Sequence, residues 1–179
     1  ELGWETSNHG TNGDLELLGE VRGMRSITLD LLPSRLYFGR GTWHTDRTAQ
    51  ITIDSSTVVI DSLVLRNEGQ LIALDGAITK DRSRPLGFAL EGVDLLNLEP
   101  LLDGPVLSGT VEGEGRLFDL YGTPYVASYL CADSLAVKDI PVGDVRFAAT
   151  WLEGQGALDL NGSLTRGPIK ALDFSGRLG

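Results

Sequence analysis

The side chains most often used in catalysis are scarce in this chain and lie far apart. Its two histidines are His9, within a polar stretch, and His44, which follows Trp43. A Ser-His-Asp triad needs a histidine that a carboxylate orients, and neither histidine has a sequence context that indicates one. With Cys131 as its one cysteine, the chain has no ligand set of ordinary zinc spacing. We therefore predict that the protein is not an enzyme and has no metal or other cofactor.

Acidic residues and glycines form three weaker motifs. Glu112 and Glu114 would act as a glycosidase pair only if a cleft desolvated one of them. The segment 159–162 resembles part of a calcium loop, but the remaining ligands are missing. Gly113-Glu114-Gly115 lacks the third glycine and the following helix of a dinucleotide-binding turn. All three motifs fall within alternating segments, so their acidic residues are predicted to be the water-facing positions of strands.

An apolar residue or a glycine occupies every second position over much of the chain. A period of two indicates strands with one dry face and one wet face. Turn signals at spacings of roughly 8–12 residues are typical of an all-β protein, and we expect at least ten mostly antiparallel strands. On the wet face we expect Glu112, Glu114, Arg116, Asp159 and Asp173. On one common apolar interior we expect Ile72, Leu74, Ile78, Phe88, Leu90, Leu107, Val111, Leu117, Val145, Phe147, Trp151, Leu158, Leu160, Leu164, Leu172 and Phe174.

The alternation breaks once, over residues 95–102. This stretch is too rich in leucine for a half-exposed strand, and we predict a short helix, capped by Asn97, that plugs an end or edge of the sheet. Residues 1–13 are polar and are expected to form an edge or a loose lead-in. No linker divides the remaining chain. We therefore expect 1–179 to be a single β domain, cut from a longer protein.

The charge of the chain opposes two classes of partner. The formal net charge is −10, which disfavours nucleic acid and anionic membrane surfaces because both would repel the chain. No stretch approaches the ~18 consecutive apolar residues that a membrane-spanning helix needs. Any membrane anchor is therefore expected outside this sequence.

A series of short phrases resembles the conserved C-terminal region of the TamB family, the translocation and assembly module subunits. This family belongs to the wider AsmA-like group of bridge-like envelope proteins. The resemblance is clearest over residues 70–162, and the phrases occur in the family's order and spacing. They are GQLIALDG at 69–76, LLNLEPLL at 95–102, LSGTVEG at 107–113, LYGTP at 120–124, VGDV at 142–145 and LDLNG at 158–162.

The resemblance implies an elongated antiparallel sheet that is curled lengthwise into an open trough, the β-taco, with a hydrophobic lining. It also implies a location in the periplasm of a Gram-negative envelope, with an inner-membrane anchor elsewhere in a much longer protein. The implied function is the carriage of phospholipid, held by its acyl chains, between the inner and outer membranes. An outer-membrane barrel of the TamA type is the implied protein partner, reached through parts outside this sequence.

Three functions remain open from the sequence. The first is the lipid conduit. The second is a chaperone-like scaffold that assembles or translocates outer-membrane proteins by pairing with their strands. The third is an inert envelope module, for which the fold would be a closed β-sandwich with two sheets sharing a core.

Overall fold

The computed structural model describes residues 2–5, 12–15, 17–22, 26–99, 104–121, 125–152 and 155–178. Within them, fifteen strands form one sheet, and the sheet does not close into a barrel. The prediction of an open, mostly antiparallel all-β fold is therefore confirmed, and a closed sandwich does not form. In chain order the strands are β1 Leu2–Glu5, β2 Asn12–Leu15, β3 Leu17–Arg22, β4 Ser26–Leu31, β5 Arg35–Phe38, β6 Gly41–His44, β7 Ala49–Asp54, β8 Val58–Asn67, β9 Gln70–Ile78, β10 Leu86–Asp94, β11 Leu107–Phe118, β12 Tyr125–Val137, β13 Ile140–Leu152, β14 Ala157–Arg166 and β15 Ile169–Leu178.

The C-terminal two thirds of the sheet is a simple meander. From β8 to β15 each strand pairs antiparallel with the next strand in sequence. Consecutive antiparallel strands joined by short turns need no crossover connection, which explains why the turn signals alone could indicate this part of the fold. Of the expected lead-in, residues 2–5 form the outer strand β1, β2 begins at Asn12, and residues 6–11 lie outside the described part.

The N-terminal part of the sheet divides into two branches at β8. The first half of β8 pairs with β7, which leads to β4 and β3, and near its other end Arg66 pairs with His44 of β6. The chain crosses between the branches at Ser34 and Thr45, both of which are buried. Their backbones and side chains are tied together, because the Ser34 N–H donates to Thr45 Oγ1 at 2.7 Å and the Thr45 N–H donates to the Ser34 carbonyl at 3.0 Å. These bonds satisfy polar groups that the fork would otherwise bury unpaired.

Three alternate strands of the meander each carry one extra residue. The extra residues in β8, β10 and β12 include Ser62, Gly92 and Ser134, whose φ angles are 57°, 55° and 53°. An aspartate on the neighbouring strand accepts the backbone N–H at two of these bulges: Asp75 at 3.2 Å from Ser62 and Asp144 at 2.9 Å from Ser134. A bulge bends its strand and increases the local twist. One-residue shifts also occur in β13 and β15, so bulges bend the sheet at several of its strands.

The helical segment is shorter than expected. It is a 3-10 turn, η1, over Leu95–Asn97, and residues 100–103 of the expected helix lie outside the described part. Asp94, not Asn97, caps it by accepting the Leu96 N–H at 2.9 Å. Leu95 and the neighbouring Leu98 pack over the hydrophobic cluster that surrounds Trp43 and Val93.

Asn97 fastens η1 to a distant turn. Its side chain is almost completely buried. It accepts the Arg40 N–H at 2.9 Å and donates to Gln70 Oε1 at 3.0 Å. Gly39 lies directly against the Asn97 backbone, and a side chain there would collide with it. Three strand spacings, about 14 Å in a flat sheet, separate β6 from β10. The η1 segment therefore reaches from the end of β10 back across the strands and covers the cluster around Trp43, which explains how Trp43 reaches 0% exposure in a single sheet.

Candidate functional site: an open apolar face

The strand pairing defines one apolar face across β8 to β15. Residues directly opposite each other in an antiparallel pair lie on the same side of the sheet, so each chain of partners marks a row. One row consists of Leu65, Ile72, Leu90, Gly113, Leu130, Phe147, Gly162 and Phe174. The next consists of Leu63, Leu74, Phe88, Gly115, Ser128, Ala149, Leu160 and Gly176. We call this side of the sheet the apolar face, and neither row contains a charged residue.

Aromatic rings lie over glycines on the apolar face. An added Cβ at Gly115 would be 2.6 Å from the Phe88 ring, and one at Gly162 would collide with the ring of Phe174. Phe174 also stacks with Phe147, with ring centroids 6.5 Å apart. A ring that covers a glycine buries apolar area and shields a backbone that a larger residue would otherwise cover. The glycines in the alternating pattern therefore provide space for the neighbouring rings.

The apolar face is only partly covered. Trp43 and Val93 are fully buried near η1, but most of the face further along the meander is half-buried. On β15 the apolar side chains are open to solvent, with Leu172 52%, Phe174 40% and Leu178 60% exposed. A closed core would leave side chains of this size almost fully buried. The face is therefore a graded surface, sealed at the η1 end and open at β15.

The residues that the sequence predicted for a common interior all lie on the apolar face by register. Leu107 lies beyond Gly109, which faces the bulge at Ser134, and packs against the hydrophobic cluster. The expected water-facing residues lie on the opposite side, which we call the polar face. Glu112 heads one row of the polar face, in which its partners are Cys131, Arg146, Ser163 and Asp173. That the apolar residues line a path for lipid stays a prediction.

One aromatic group is not indicated by the sequence pattern. Tyr125 stacks between Phe118 and Trp151, with ring centroids at 4.8 and 3.9 Å. The Arg82 guanidinium lies 5.5 Å from the centre of the Tyr125 ring and 3.4 Å from an oxygen of Asp119. The alternation of apolar residues could not indicate this stack, because it forms at the strand ends and includes Trp151, which lies far from Tyr125 in sequence. It caps one rim of the sheet with rings and a cation.

The polar face carries shallow grooves with small side chains. One, of about 580 Å³, runs over β9 to β13 beside Glu114 and Arg116. A second, of about 440 Å³, lies between Tyr129 and Arg146. Cys131 lies on this face, and its hydrogen bond with the Tyr129 phenol raises the pKa of that phenol. The histidines do not join these grooves, since His44 is exposed on β6 and His9 lies outside the described residues.

The described residues provide neither a metal cluster nor a spanning helix. Within them, no three His, Cys, Asp or Glu side chains come together in a group suited to a metal ion. No helix in that part of the chain is long and apolar enough to cross a membrane. No protein-family model, curated protein or solved structure matches the chain.

Proposed function

We propose that the apolar face binds the acyl chains of phospholipids and forms a segment of a conduit along which they move. One observation carries this proposal. The two rows that cross the apolar face from β8 to β15 contain no charged side chain, yet much of the face stays open to solvent. Each methylene that leaves water gains about 0.8 kcal/mol. Binding of an acyl chain to such a surface is therefore favourable without any specific contact.

The rows also define the path that an acyl chain would follow across the sheet. They run across the strands, so an acyl chain that follows the first row meets Leu130, Phe147, Gly162 and Phe174 in turn and no charged group. A charge placed on the path would have to lose its hydration whenever an acyl chain covered it, at a cost of several kcal/mol. Continuity without charge is therefore the property on which transport depends.

The cellular setting of the proposal comes from the TamB-like phrases. They favour a periplasmic position in a longer protein anchored in the inner membrane, with an outer-membrane barrel as protein partner. The net charge of −10 is compatible with this setting. The phospholipid would be held by its acyl chains, because an acidic chain repels anionic headgroups.

The experiment places charges on the two faces at matched positions. Phe147→Asp and Leu160→Arg put a charge on the apolar face, whereas their sequence neighbours Arg146→Asp and Asn161→Arg put the same charge on the polar face. The purified chain is mixed with vesicles that contain a fluorescent phospholipid, and extraction of the probe is measured. We expect at least a tenfold loss of extraction for the apolar-face variants and little change for their neighbours.

The same variants belong in the full-length protein, in a strain whose outer-membrane integrity depends on it. We expect Phe147→Asp and Leu160→Arg to be defective at normal protein level, while Glu112→Arg on the polar face is tolerated. Full activity of both apolar-face variants, with the probe still extracted, would contradict the conduit. Circular dichroism of each variant separates loss of binding from loss of folding.

A chaperone-like scaffold is the second candidate, and the edge of β3, which pairs with β4 only within the described residues, favours it. Scaffolding by strand addition uses backbone groups at a sheet edge and does not need an uncharged apolar path. Under that function, the apolar-face variants would remain active, and a proline in β3 would abolish activity. The two functions therefore give opposite results in the same strain.

A further inference from the structure

The loop between β9 and β10 concentrates positive charge in an acidic chain. In residues 79–85, which we call the basic loop, Lys80, Arg82 and Arg84 place three of the chain's fifteen lysines and arginines within five positions. All three side chains are exposed. Charges farther away than about 8 Å are largely screened at physiological ionic strength. The loop and its immediate neighbours therefore set the potential here, rather than the net charge of −10.

Hydrogen bonds within the basic loop occupy its one acid. Asp81 accepts the Ser83 N–H at 2.9 Å and the Ser83 hydroxyl at 2.7 Å. The Arg84 N–H donates to the Asp81 carbonyl at 3.1 Å and closes the turn. Lys80, in contrast, makes no ion pair within the described residues. Its ammonium group is therefore available to an anion from outside the chain.

Arg82 is held over the next hairpin on the same rim of the sheet. Its guanidinium lies 3.4 Å from an oxygen of Asp119 and 5.5 Å from the centre of the Tyr125 ring. The carboxylate and the ring together favour one position for this cation. The contact with Asp119 engages one of the two terminal nitrogens, and a guanidinium has five N–H donors. The remaining donors form a fork that matches the oxygens of a phosphate.

Aromatic rings connect the basic loop to the apolar face. Trp151 belongs to both, because the strand pairing sets it opposite Leu158 on the apolar face and its ring stacks with Tyr125. Tyrosine and tryptophan are enriched where an apolar environment meets water, since each has an apolar body and a polar tip. Only the stack of rings therefore separates the Arg82 guanidinium from the apolar face.

We propose that the basic loop binds the phosphate of a phospholipid headgroup, with Arg82 and Lys80 as donors, while the acyl chains lie on the apolar face. This inference rests on the proposed function, because it assigns the other end of the same lipid. Arg82 supplies paired N–H donors, and Lys80 adds a mobile point charge. A free phosphate would meet the same two cations but would gain nothing from the rings or the apolar face. The geometry therefore favours the lipid as the source of the phosphate.

Two fluorescent lipids that differ only in the phosphate group test the site. Phosphatidic acid and diacylglycerol with the same acyl chains are each placed at trace level in phosphatidylcholine vesicles, and extraction by the purified chain is measured. We expect the double variant Lys80→Gln and Arg82→Gln to lower extraction of phosphatidic acid roughly tenfold. Extraction of diacylglycerol should stay unchanged, which also shows that the variant is folded. Lys138→Gln, in the exposed turn between β12 and β13 on the opposite rim, is the matched control and should leave both values unchanged.

The other outcomes separate this site from the conduit. Equal loss of both lipids in the double variant would show that the loop supports the apolar face without contacting phosphate, and would overturn the proposal. Unchanged extraction of phosphatidic acid would overturn it as well. An unmodified chain that extracts neither lipid would overturn the conduit, and this site with it.

Inorganic phosphate, added as a competitor, distinguishes the two sources of the anion. We expect it to compete only weakly with phosphatidic acid, because it lacks the acyl chains that the apolar face holds. Binding of inorganic phosphate by a chain that shows no preference between the two lipids would assign the loop to a free anion and overturn the proposal.

Discussion

At the scale of single residues, the apolar face depends on pairs of unequal size. Phe88 and Phe174 are large, and the glycines beneath them provide the space that the rings occupy. The alternating pattern predicted which side these residues face, because parity alone decides that. It could not predict which ring covers which glycine, because that depends on the register between strands.

The Gly162 position gives a direct test of this packing. Gly162→Ala places a methyl group into the Phe174 ring, and we expect a loss of about 1–3 kcal/mol in the free energy of unfolding. Gly176→Ala on the same face has open space around it and is expected to change stability by less than about 0.5 kcal/mol. Urea unfolding of both variants, at a concentration where the chain is monomeric, measures the difference. Equal stabilities would contradict the packing.

Asp54 gives a prediction about pH at the turn between β7 and β8. Hydrogen bonds from the Ser56 and Thr57 backbone hold its pKa below the ordinary value of 3.8. A lowered folded-state pKa contributes stability that is present above the unfolded value and is lost as pH falls through the folded value. We therefore expect Asp54→Ala to lower the melting temperature at neutral pH. The difference from the unmodified chain should shrink as the pH falls below 3.8.

At the scale of elements, the bulges explain why the alternation of apolar residues does not mark every strand boundary. By that alternation residues 58–60 and 63–66 look like two short strands, but both belong to β8, joined through the bulge at Ser62. An extra residue shifts the alternation by one position, which makes one bulged strand look like two short ones. The repeated Asp-Ser-Leu sequence at 61–63 and 133–135 is a signal that could have indicated both bulges.

The aspartate opposite each of these bulges should stabilise it. Asp144→Ala removes the acceptor of the Ser134 N–H, and we expect a loss of roughly 0.5–1.5 kcal/mol in unfolding free energy. Asp133→Ala, at the residue that precedes Ser134 in β12, is the control. We expect it to change the unfolding free energy by at most about 0.5 kcal/mol. Hydrogen exchange should show faster exchange at Ser134 in the first variant only. Unchanged exchange there would remove the aspartate from the account of the bulge.

At the scale of the whole molecule, the sequence predicted the open antiparallel meander but not the fork at β8. The meander needs only neighbours in sequence, whereas the fork depends on two crossings, at Ser34 and Thr45, that bring distant segments together. The sequence also could not predict the hydrogen bond from the Arg40 N–H to the Asn97 side chain, because fifty-seven positions separate the two residues. That contact joins η1 to the turn between β5 and β6, over the core of the sheet.

Asn97→Ala should therefore loosen the curved end of the molecule. The Arg40 N–H and the Gln70 side chain would lose a buried partner, and we expect a loss of about 2–3 kcal/mol in unfolding free energy. Hydrogen exchange should accelerate over β5 and β6, which the contact ties to η1. Asn161→Ala, an exposed asparagine on β14, is the control. Exchange that accelerates uniformly across the sheet would show that Asn97 does not act locally.

The meander makes the reach of this molecule adjustable. Each strand from β8 to β15 pairs directly with the next strand, and this pairing decides which side of the sheet its residues face. The position of each strand therefore does not depend on a more distant segment. A hairpin gained or lost would therefore change the breadth of the apolar face by about 10 Å and leave every other strand in place. The fork and the Asn97 contact are needed once, at one end. The number of hairpins therefore sets how far the apolar face extends. Two proteins with the same apolar rows could differ in that number alone.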